Sequence, residues 1–264
     1  MIKLFISDLD NTLFDHEKQI RPEDQSALHA LMDAGLEIGL ASGRMDFEIV
    51  QVMNQLHGRF HRISQNGAFI YTKEGECLQR VAFSGKISKQ IYEAAQSFGL
   101  ICFVSEENEM FVNEKTDKAL AIEERMKLSL HLRPQLPEEM GESLFPSKLC
   151  FFGDIKDLKR LDQHIHQLFP SQVDSFISDK DCLDFMPPGI SKGNALKKLA
   201  EKLGLKPEEI ATIGDSFNDV SMLEFTPHSF AMNHAPSEVK QKAKHSVSSV
   251  HEACKWVLQY NQSQ

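Results

Sequence analysis

The chain of 264 residues holds 41 % apolar and 25 % charged residues, a globular composition that excludes a wholly disordered or fibrous protein. Its formal net charge of −9 makes it a poor non-specific nucleic-acid binder, because a phosphate backbone would repel it. No apolar run approaches the roughly 18–20 residues that span a bilayer, and Asp8 comes too early for a signal peptide. The five cysteines form no Cys-x-x-Cys pair, which favours reduced thiols. We therefore expect a cytoplasmic protein with neither nucleic acid nor membrane as partner.

The first 65 residues alternate between short apolar runs and amphipathic stretches. Runs at 2–7, 36–41 and 62–65 are typical of strands, and the first has the unalternating apolar character of a strand buried on both faces. Stretches at 23–33 and 46–56 predict helices. Strand, helix, strand, helix, strand is the pattern of a doubly wound parallel sheet, so we expect a Rossmann-like α/β fold.

In the middle of the chain the predicted strands arrive in pairs between helices, which indicates an α+β unit with an antiparallel sheet. The predicted strands cover 69–71, 77–81, 100–104, 110–112, 148–152, 172–177 and 182–185. The predicted helices cover 87–98, 116–130 and a stretch that ends at Leu168. Pro187-Pro188-Gly189 marks one boundary of this unit, and Phe83-Ser84-Gly85 marks a softer one.

The alternation of helix and strand returns after residue 190. Helices are predicted at 192–203, 217–224, 236–243 and 250–260, with strands at 209–213, 228–232 and 245–248. The α/β domain is therefore predicted to consist of residues 1–82 and 186–264, with an inserted α+β domain at 83–185. Such insertions succeed where chain ends lie close together on a surface.

Polar residues follow three of the predicted buried strands. Asp8-Leu9-Asp10-Asn11-Thr12 follows the first strand, and Ser42-Gly43-Arg44 follows the second. Gly214-Asp215-Ser216-Phe217-Asn218-Asp219 follows the strand at 209–213, and Lys192 lies at a predicted helix start. In open α/β sheets ligands bind beyond the carboxyl ends of the strands, so we expect these groups at one edge.

This set of carboxylates, a hydroxyl, a lysine and an amide suits metal-assisted phosphoryl transfer. Mg²⁺ prefers hard oxygen ligands. A carboxylate serves as nucleophile and forms an aspartyl-phosphate, while a lysine and a metal offset the charge of the transferring phosphoryl group. A second carboxylate, in its protonated form, delivers a proton to the leaving alkoxide.

With these motifs the sequence resembles phosphatases of the haloacid dehalogenase superfamily, specifically the Cof-type sugar-phosphatase subfamily with a C2-type cap. The family's first motif, Asp-x-Asp-x-Thr, matches residues 8–12, and its second matches Ser42 within Ser-Gly-Arg. Its third motif matches Lys192, and its fourth, Gly-Asp-x-x-Asn-Asp, matches residues 214–219. Asn66-Gly67-Ala68 resembles a turn that precedes the cap in this subfamily.

The resemblance implies Mg²⁺ as cofactor, the inserted domain as a cap that selects the substrate, and a role for each matched residue. The implied catalytic residues are Asp8 as nucleophile, Asp10 as general acid and then general base, Ser42 and Lys192. The implied metal ligands are Asp8, Asp10 through its backbone carbonyl, and Asp215. The implied substrate-binding residues are Ser42, Arg44, Lys192 and Asn218, with Thr12 and Asp219 in support.

The chain departs from the subfamily pattern after the strand at 228–232, where Met232-Asn233-His234-Ala235 replaces Met-Gly-Asn-Ala. Losing the glycine changes which backbone angles are easy there, and the histidine adds a titratable group. We expect this difference to affect contacts at the rim of the site and the substrate range more than the reaction class.

The expected substrate is a small phosphorylated metabolite. The resemblance favours sugar phosphates and leaves pyridoxal phosphate and flavin mononucleotide open, as the sequence leaves the oligomeric state open. Two other functions remain as alternatives. One is a phosphomutase of the phosphomannomutase type, and the other is a non-catalytic regulator that binds a phospho-ligand, since fold does not fix function.

Overall fold

The computed structural model describes residues 1–84, 86–126 and 129–264 and divides into two compact units. The core unit comprises Met1–Arg80 and Ser191–Gln264, and the inserted unit is the continuous segment Val81–Ile190. We predicted divisions after residues 82 and 185, whereas the units divide after residues 80 and 190. The softer predicted boundary includes Gly85, which lies outside the described residues.

The first part of the core unit alternates strand and helix and then ends in a hairpin. Its elements are β1 (Leu4–Ser7), α1 (Pro22–Asp33), β2 (Glu37–Ala41), α2 (Asp46–Gln55), β3 (His61–Ser64), β4 (Phe69–Tyr71) and β5 (Cys77–Arg80).

The inserted unit is built from further strands and helices in the described ranges. Its elements are α3 (Ile87–Ala95), β6 (Ile101–Ser105), β7 (Met110–Val112), α4 (Asp117–Met126), β8 (Leu130–Leu132), α5 (Leu136–Glu139), β9 (Lys148–Phe152), α6 (Ile155–Leu168), β10 (Asp174–Asp179) and β11 (Cys182–Met186).

The last part of the chain returns to the core unit. Its elements are α7 (Lys192–Leu203), β12 (Ile210–Gly214), α8 (Val220–Leu223), β13 (His228–Met232), α9 (Ser237–Lys240), β14 (His245–Val247) and α10 (Val250–Gln262).

The core sheet, as far as the chain is described, has the strand order β14-β13-β12-β1-β2-β3-β4-β5. Pairing is parallel from β14 to β3 and antiparallel from β3 to β5. β1 is therefore a central strand, and its Leu4 pairs with Glu37 on one side and with Ile210 on the other. This arrangement confirms the predicted doubly wound α/β fold.

Helices cover both faces of the core sheet, which explains why β1 is apolar at successive positions. Phe5 points to a cluster formed with α1, α2 and α10. Leu4 and Ile6 point the opposite way, to a cluster with α7 and α8 that includes Leu196 and Met222. Successive side chains of a strand alternate between faces, so a strand covered on both sides has no polar face.

The inserted unit contains a sheet with the order β10-β11-β9-β6-β7-β8. Pairing is antiparallel as predicted, except that β7 and β8 run parallel. α3 and α6 bury Ile91, Leu158 and Leu161 in one cluster with Leu149 and Phe151 of β9. The unit thus has a hydrophobic core of its own.

The helix predicted over 116–130 is wrong at its end. α4 stops at Met126, and Leu130 begins strand β8 instead. Residues 127 and 128 of that prediction lie outside the described residues. β8 is a three-residue edge strand whose pairing with β7, Met110 opposite Leu130, is set by distant residues rather than by local pattern. The short α5 (Leu136–Glu139) was also missed, because four residues are too few to show a helical periodicity.

Two simpler expectations concern thiols and membranes. Cysteines 102, 150, 182 and 254 are buried and Cys77 is exposed, all as free thiols. Within the described ranges, no helix combines the length and the apolar character that a bilayer crossing requires.

Candidate active site

The first, second and fourth motifs converge because the strands that they follow are neighbours in the core sheet. β1 lies between β2 and β12, so Asp8, Ser42 and Asp215 follow three adjacent parallel strands at the same edge. Asp8 extends the pairing of β1, since its backbone N–H donates to the Ile213 carbonyl at 3.0 Å. Each of the three motif residues is buried.

Lys192 lies at the centre of this edge with a fully buried side chain. Its Nζ donates to Asp8 Oδ1 at 2.6 Å and to Asp219 Oδ1 at 2.6 Å. Ser191 caps α7 by accepting a hydrogen bond from the Asn194 N–H at 3.1 Å, which fixes where the helix begins and hence where Lys192 points. The position of Lys192 is thus set by a helix cap and by two carboxylates.

Asp219 is itself held by backbone. Its Oδ2 accepts from the N–H groups of Asp215 and Ser216, each at 2.9 Å, so both of its oxygens have partners. Gly214 permits this close approach, because an added Cβ would lie 2.5 Å from the Asp219 Cγ. The motif spacing therefore builds a tight turn that presents Asp219 to Lys192.

The buried charges shift one another's pKa values. Burial raises the pKa of Asp8 well above its ordinary value; repulsion from Asp219 adds to this, and Lys192 opposes it. Burial and Asp219 raise the pKa of Asp215 to about 6. Burial alone would lower the pKa of Lys192, but Asp219 and Asp8 reverse this and raise it. The site holds more negative than positive charge.

That excess of negative charge fits a cation. Carboxylate oxygens of Asp8, Asp215 and Asp219 lie within 4.8 Å of one another. Thr12 Oγ1 donates to Asp215 Oδ1 at 3.1 Å and so orients that carboxylate. The donors are hard oxygens, which suit a hard divalent ion. Because Asp219 has both oxygens engaged, Asp8 and Asp215 are the carboxylates best able to hold the ion.

Asp10 and Arg44 form a second group. Arg44 forms a bidentate ion pair with the Asp10 carboxylate, in which Nε donates to Oδ2 at 2.8 Å and Nη2 donates to Oδ1 at 2.6 Å. Arg44 Nη1 also donates to Glu48 Oε1 at 3.3 Å. The Arg44 backbone N–H donates to Ser42 Oγ at 3.2 Å. Burial alone would raise the pKa of Asp10, but the hydrogen bonds and charge of Arg44 lower it. In this state Arg44 is therefore paired with Asp10, which it keeps ionised.

The remaining motif residues lie around these groups. Asn218 Nδ2 donates to Asn66 Oδ1 at 3.0 Å. His234 Nε2 lies 3.8 Å from Asp215 Oδ2, so the residue that departs from the subfamily pattern lies beside the carboxylate cluster. Asn66 was noted in the sequence only as part of a turn, and its contact with Asn218 was missed because 152 residues separate the two.

Known proteins resemble this chain over most of its length. The model of the haloacid dehalogenase-like hydrolase family matches residues 5–254. An HMP-PP phosphatase from Serratia proteamaculans is 29 % identical over 244 residues, which cover 91 % of this chain and 87 % of that protein. A 5-amino-6-(5-phospho-D-ribitylamino)uracil phosphatase from Bacillus subtilis is 26 % identical over 267 residues, which cover 92 % of this chain and 91 % of that protein.

The fold is shared with solved structures as well. The crystal structure of a haloacid dehalogenase-like hydrolase from Bacteroides thetaiotaomicron superposes with a TM-score of 0.86 at 25 % identity, covering 97 % of this chain and 100 % of that one. The resemblance read from the motifs is therefore confirmed. Since the family model spans both parts of the core unit and the insertion between them, this chain belongs to the haloacid dehalogenase-like hydrolases.

Proposed function

We propose that this chain is a metal-dependent phosphatase that hydrolyses small phosphomonoesters in two steps, with Asp8 as the group that carries the phosphoryl intermediate. The observation that carries the proposal is the buried Asp8 held by Lys192 at 2.6 Å, beside a carboxylate cluster able to take a cation. The two relatives described above are named phosphatases, which supports the same reaction class.

In the first step a carboxylate oxygen of Asp8 forms a bond to phosphorus as the bond from phosphorus to the leaving oxygen breaks. Lys192 opposes the rise in the pKa of Asp8 that burial causes, and so favours the charged form of the nucleophile. Ser42 and Lys192 donate hydrogen bonds to the phosphoryl oxygens. Asp10 in its acid form gives its proton to the leaving alkoxide, which departs as an alcohol.

The acid role requires Asp10 to separate from Arg44, because Arg44 lowers the pKa of Asp10. A phosphoryl dianion is an alternative partner for the guanidinium, since Arg binds phosphate as well as carboxylate in a forked geometry. Substrate that draws Arg44 away therefore leaves Asp10 with a higher pKa and able to hold a proton. The proposed phosphate contact of Arg44 and the acid role of Asp10 are in this way linked.

In the second step Asp10, now a carboxylate, takes a proton from water, whose oxygen forms a bond to phosphorus as the bond to Asp8 breaks. Inorganic phosphate leaves and Asp8 returns to its starting form. The proposed cation is Mg²⁺, whose positive charge would offset the negative charge of the phosphoryl oxygens. Asp8, Asp215 and the Asp10 backbone carbonyl are its proposed ligands, and Asn218 is a proposed substrate contact.

The proposed substrates are small phosphorylated metabolites, with sugar phosphates as the leading class. The inserted unit is the proposed selector of the leaving group, and the cytoplasm is the proposed location. A phosphate-release screen over a panel of metabolites, with and without Mg²⁺, identifies the substrate.

The central experiment compares the wild-type protein with Asp8→Asn on p-nitrophenyl phosphate and on a hexose phosphate. Asparagine keeps the shape of the side chain and removes the attacking charge, so turnover is expected to fall by about a thousandfold or more. The variant also loses one of the mutually repelling buried carboxylates, so we expect it to fold with an undiminished melting temperature. Phosphate release at the wild-type rate from folded Asp8→Asn would contradict the covalent mechanism.

A further inference from the structure

The turn after β3 has an unusual backbone for buried residues. Gln65, Asn66 and Gly67 have φ values of 45°, 56° and 110°, three left-handed residues in succession. All three are buried. Left-handed conformations are unfavourable for non-glycine residues and persist where surrounding contacts enforce them.

Those contacts join the turn to the loop that carries the second motif. The Gln65 N–H donates to the Arg44 carbonyl at 2.8 Å, and the Asn66 N–H donates to the Ser42 carbonyl at 2.9 Å. The Cα of Gly43 lies against the Asn66 amide, since an added Cβ would be 3.4 Å from Asn66 Oδ1. The turn thus supports the backbone of the loop from its first residue to its last.

The same turn contacts the other motifs on its opposite side. Gly67 packs on the start of α7, where an added Cβ would lie 2.7 Å from the carbonyl oxygen of Ser191, the residue before Lys192. Asn66, which is only 1 % exposed, accepts the hydrogen bond from Asn218. Three segments that the chain delivers from distant positions therefore meet on three consecutive residues.

The two amides are also incompletely paired. Asn66 Nδ2 and Asn218 Oδ1 are buried and have no hydrogen-bond partner among the described residues. Because Asn218 Nδ2 donates to Asn66 Oδ1, the Asn66 NH2 group and the Asn218 oxygen stay unpaired; turning both amides together reverses the roles but still leaves one NH2 group and one oxygen without a partner. Buried unsatisfied polar groups destabilise a protein, and most buried polar groups in native structures have a partner. The two unpaired atoms therefore call for an explanation, and a functional role at this site supplies one.

We propose that Asn66 is a positioning residue of the phosphoryl-transfer site, which holds Asn218 at a fixed distance from the Ser42 loop. This inference rests on the proposed function, because it assigns to Asn66 the alignment of Asn218 and Ser42 on one substrate. Asn66 does this through its side-chain oxygen, while its backbone holds the loop. Removal of the amide alone therefore leaves the loop in place and releases Asn218.

The first test is Asn66→Gly, because glycine adopts the left-handed conformation easily and removes only the amide. We expect kcat on a hexose phosphate to fall about ten- to a hundredfold, the range for loss of a residue that orients a ligand-binding group. KM is expected to change much less. The matched control is His57→Gly, an exposed residue with φ of 51° that lies two residues after the end of α2. Its kcat should equal that of the wild type, and circular dichroism should show both variants folded at the assay temperature.

The second test is a double-mutant cycle with Asn218→Ala. If Asn66 acts through Asn218, the double variant is no slower than the slower single variant. Wild-type kcat in Asn66→Gly, or single effects that multiply in the double variant, would overturn the role of Asn66. Absence of phosphate release from the wild-type protein would instead contradict the proposed function, and the inference with it.

Discussion

Lys192 is the only cation that both Asp8 and Asp219 contact in the described part of the chain, which makes Lys192→Met an informative perturbation. Methionine keeps most of the apolar stem and removes the charge. Asp8 and Asp219 then remain buried without their partner, next to Asp215. Repulsion within this cluster, which Lys192 now offsets, acts in full.

The size of the effect follows from burial. Breaking a buried ion pair by removing one partner costs about 3–5 kcal/mol, because the remaining charge stays desolvated. A change of 1 kcal/mol shifts the melting temperature by roughly 2–4 °C in a protein of 150–250 residues, so we expect a decrease of about 6–20 °C for the metal-free protein.

The decrease should depend on pH in a defined direction. The pKa values of Asp8 and Asp215 are raised on folding, the second to about 6. At pH values between the ordinary carboxyl pKa of 3.8 and these raised pKa values, the folded state binds more protons than the unfolded state. The free energy of unfolding therefore decreases as pH rises through this range. Without Lys192 the pKa values of Asp8 and Asp215 rise further, so the pH range in which stability decreases extends to higher pH. The pKa of Lys192 itself is raised, so its charge is present across the neutral range.

The assay is thermal unfolding in EDTA at mildly acidic and mildly alkaline pH, followed by circular dichroism. Lys197→Met is the matched control, since Lys197 is exposed on the same helix. We expect Lys192→Met to be destabilised at both pH values and more strongly at the higher one, while Lys197→Met unfolds like the wild type. A loss of equal size at the two pH values would refute the assignment of the effect to unpaired carboxylates.

Three further predictions test other parts of the core unit. Asp10→Asn should slow the rapid-quench burst with a hexose phosphate far more than the burst with p-nitrophenyl phosphate, because nitrophenolate departs with little protonation; equal slowing would reassign Asp10 to positioning. Arg44→Met removes the partner that lowers the pKa of Asp10 in the free enzyme, so the limb of the kcat/KM–pH profile that reports Asp10 should move to higher pH, and an unmoved limb would show that this limb does not report Asp10. Burial lowers the pKa of His245, whose ring lies 4.7 Å from the ring of Trp256, so the fold favours the neutral imidazole. The free energy of unfolding should therefore decrease as pH falls below the ordinary histidine pKa of 6.5, because protonation of the buried ring is unfavourable. His245→Phe should therefore reduce the loss of melting temperature between pH 7.5 and 5.5, and an unchanged loss would contradict this account.

The core fold was predictable because its signals are local. An apolar run such as β1, followed at once by Asp8, indicates both a buried strand and the polar edge where it ends. The same holds for β12 and Asp215. Order along the chain then implied proximity in space, since adjacent parallel strands end at one edge.

What the sequence did not predict depends on contacts between distant residues. The ion pair between Arg44 and Asp10 and the hydrogen bond between Asn218 and Asn66 each join two loops. No local sequence pattern specifies how these loops are positioned relative to one another. Asp219 was predicted only as a supporting residue, although it holds Lys192 as closely as Asp8 does. The predicted helix over 116–130 ran into β8 at Leu130, and β8 itself was missed because the strand that it pairs with, β7, is separated from it along the chain by α4.

The central place of β1 has a consequence for how the protein is made. Asp8 is synthesised before Lys192, which follows 184 residues later, and before Asp215, which follows later still. Until β12 arrives, β1 has a neighbour on one side only, whereas the inserted unit is continuous in sequence and completes its own sheet earlier. A chain that terminates anywhere within the inserted unit thus carries Asp8 without Lys192 and without Asp215 and Asp219. Under the proposed mechanism such incomplete chains are inert, and activity requires that synthesis has passed the last motif.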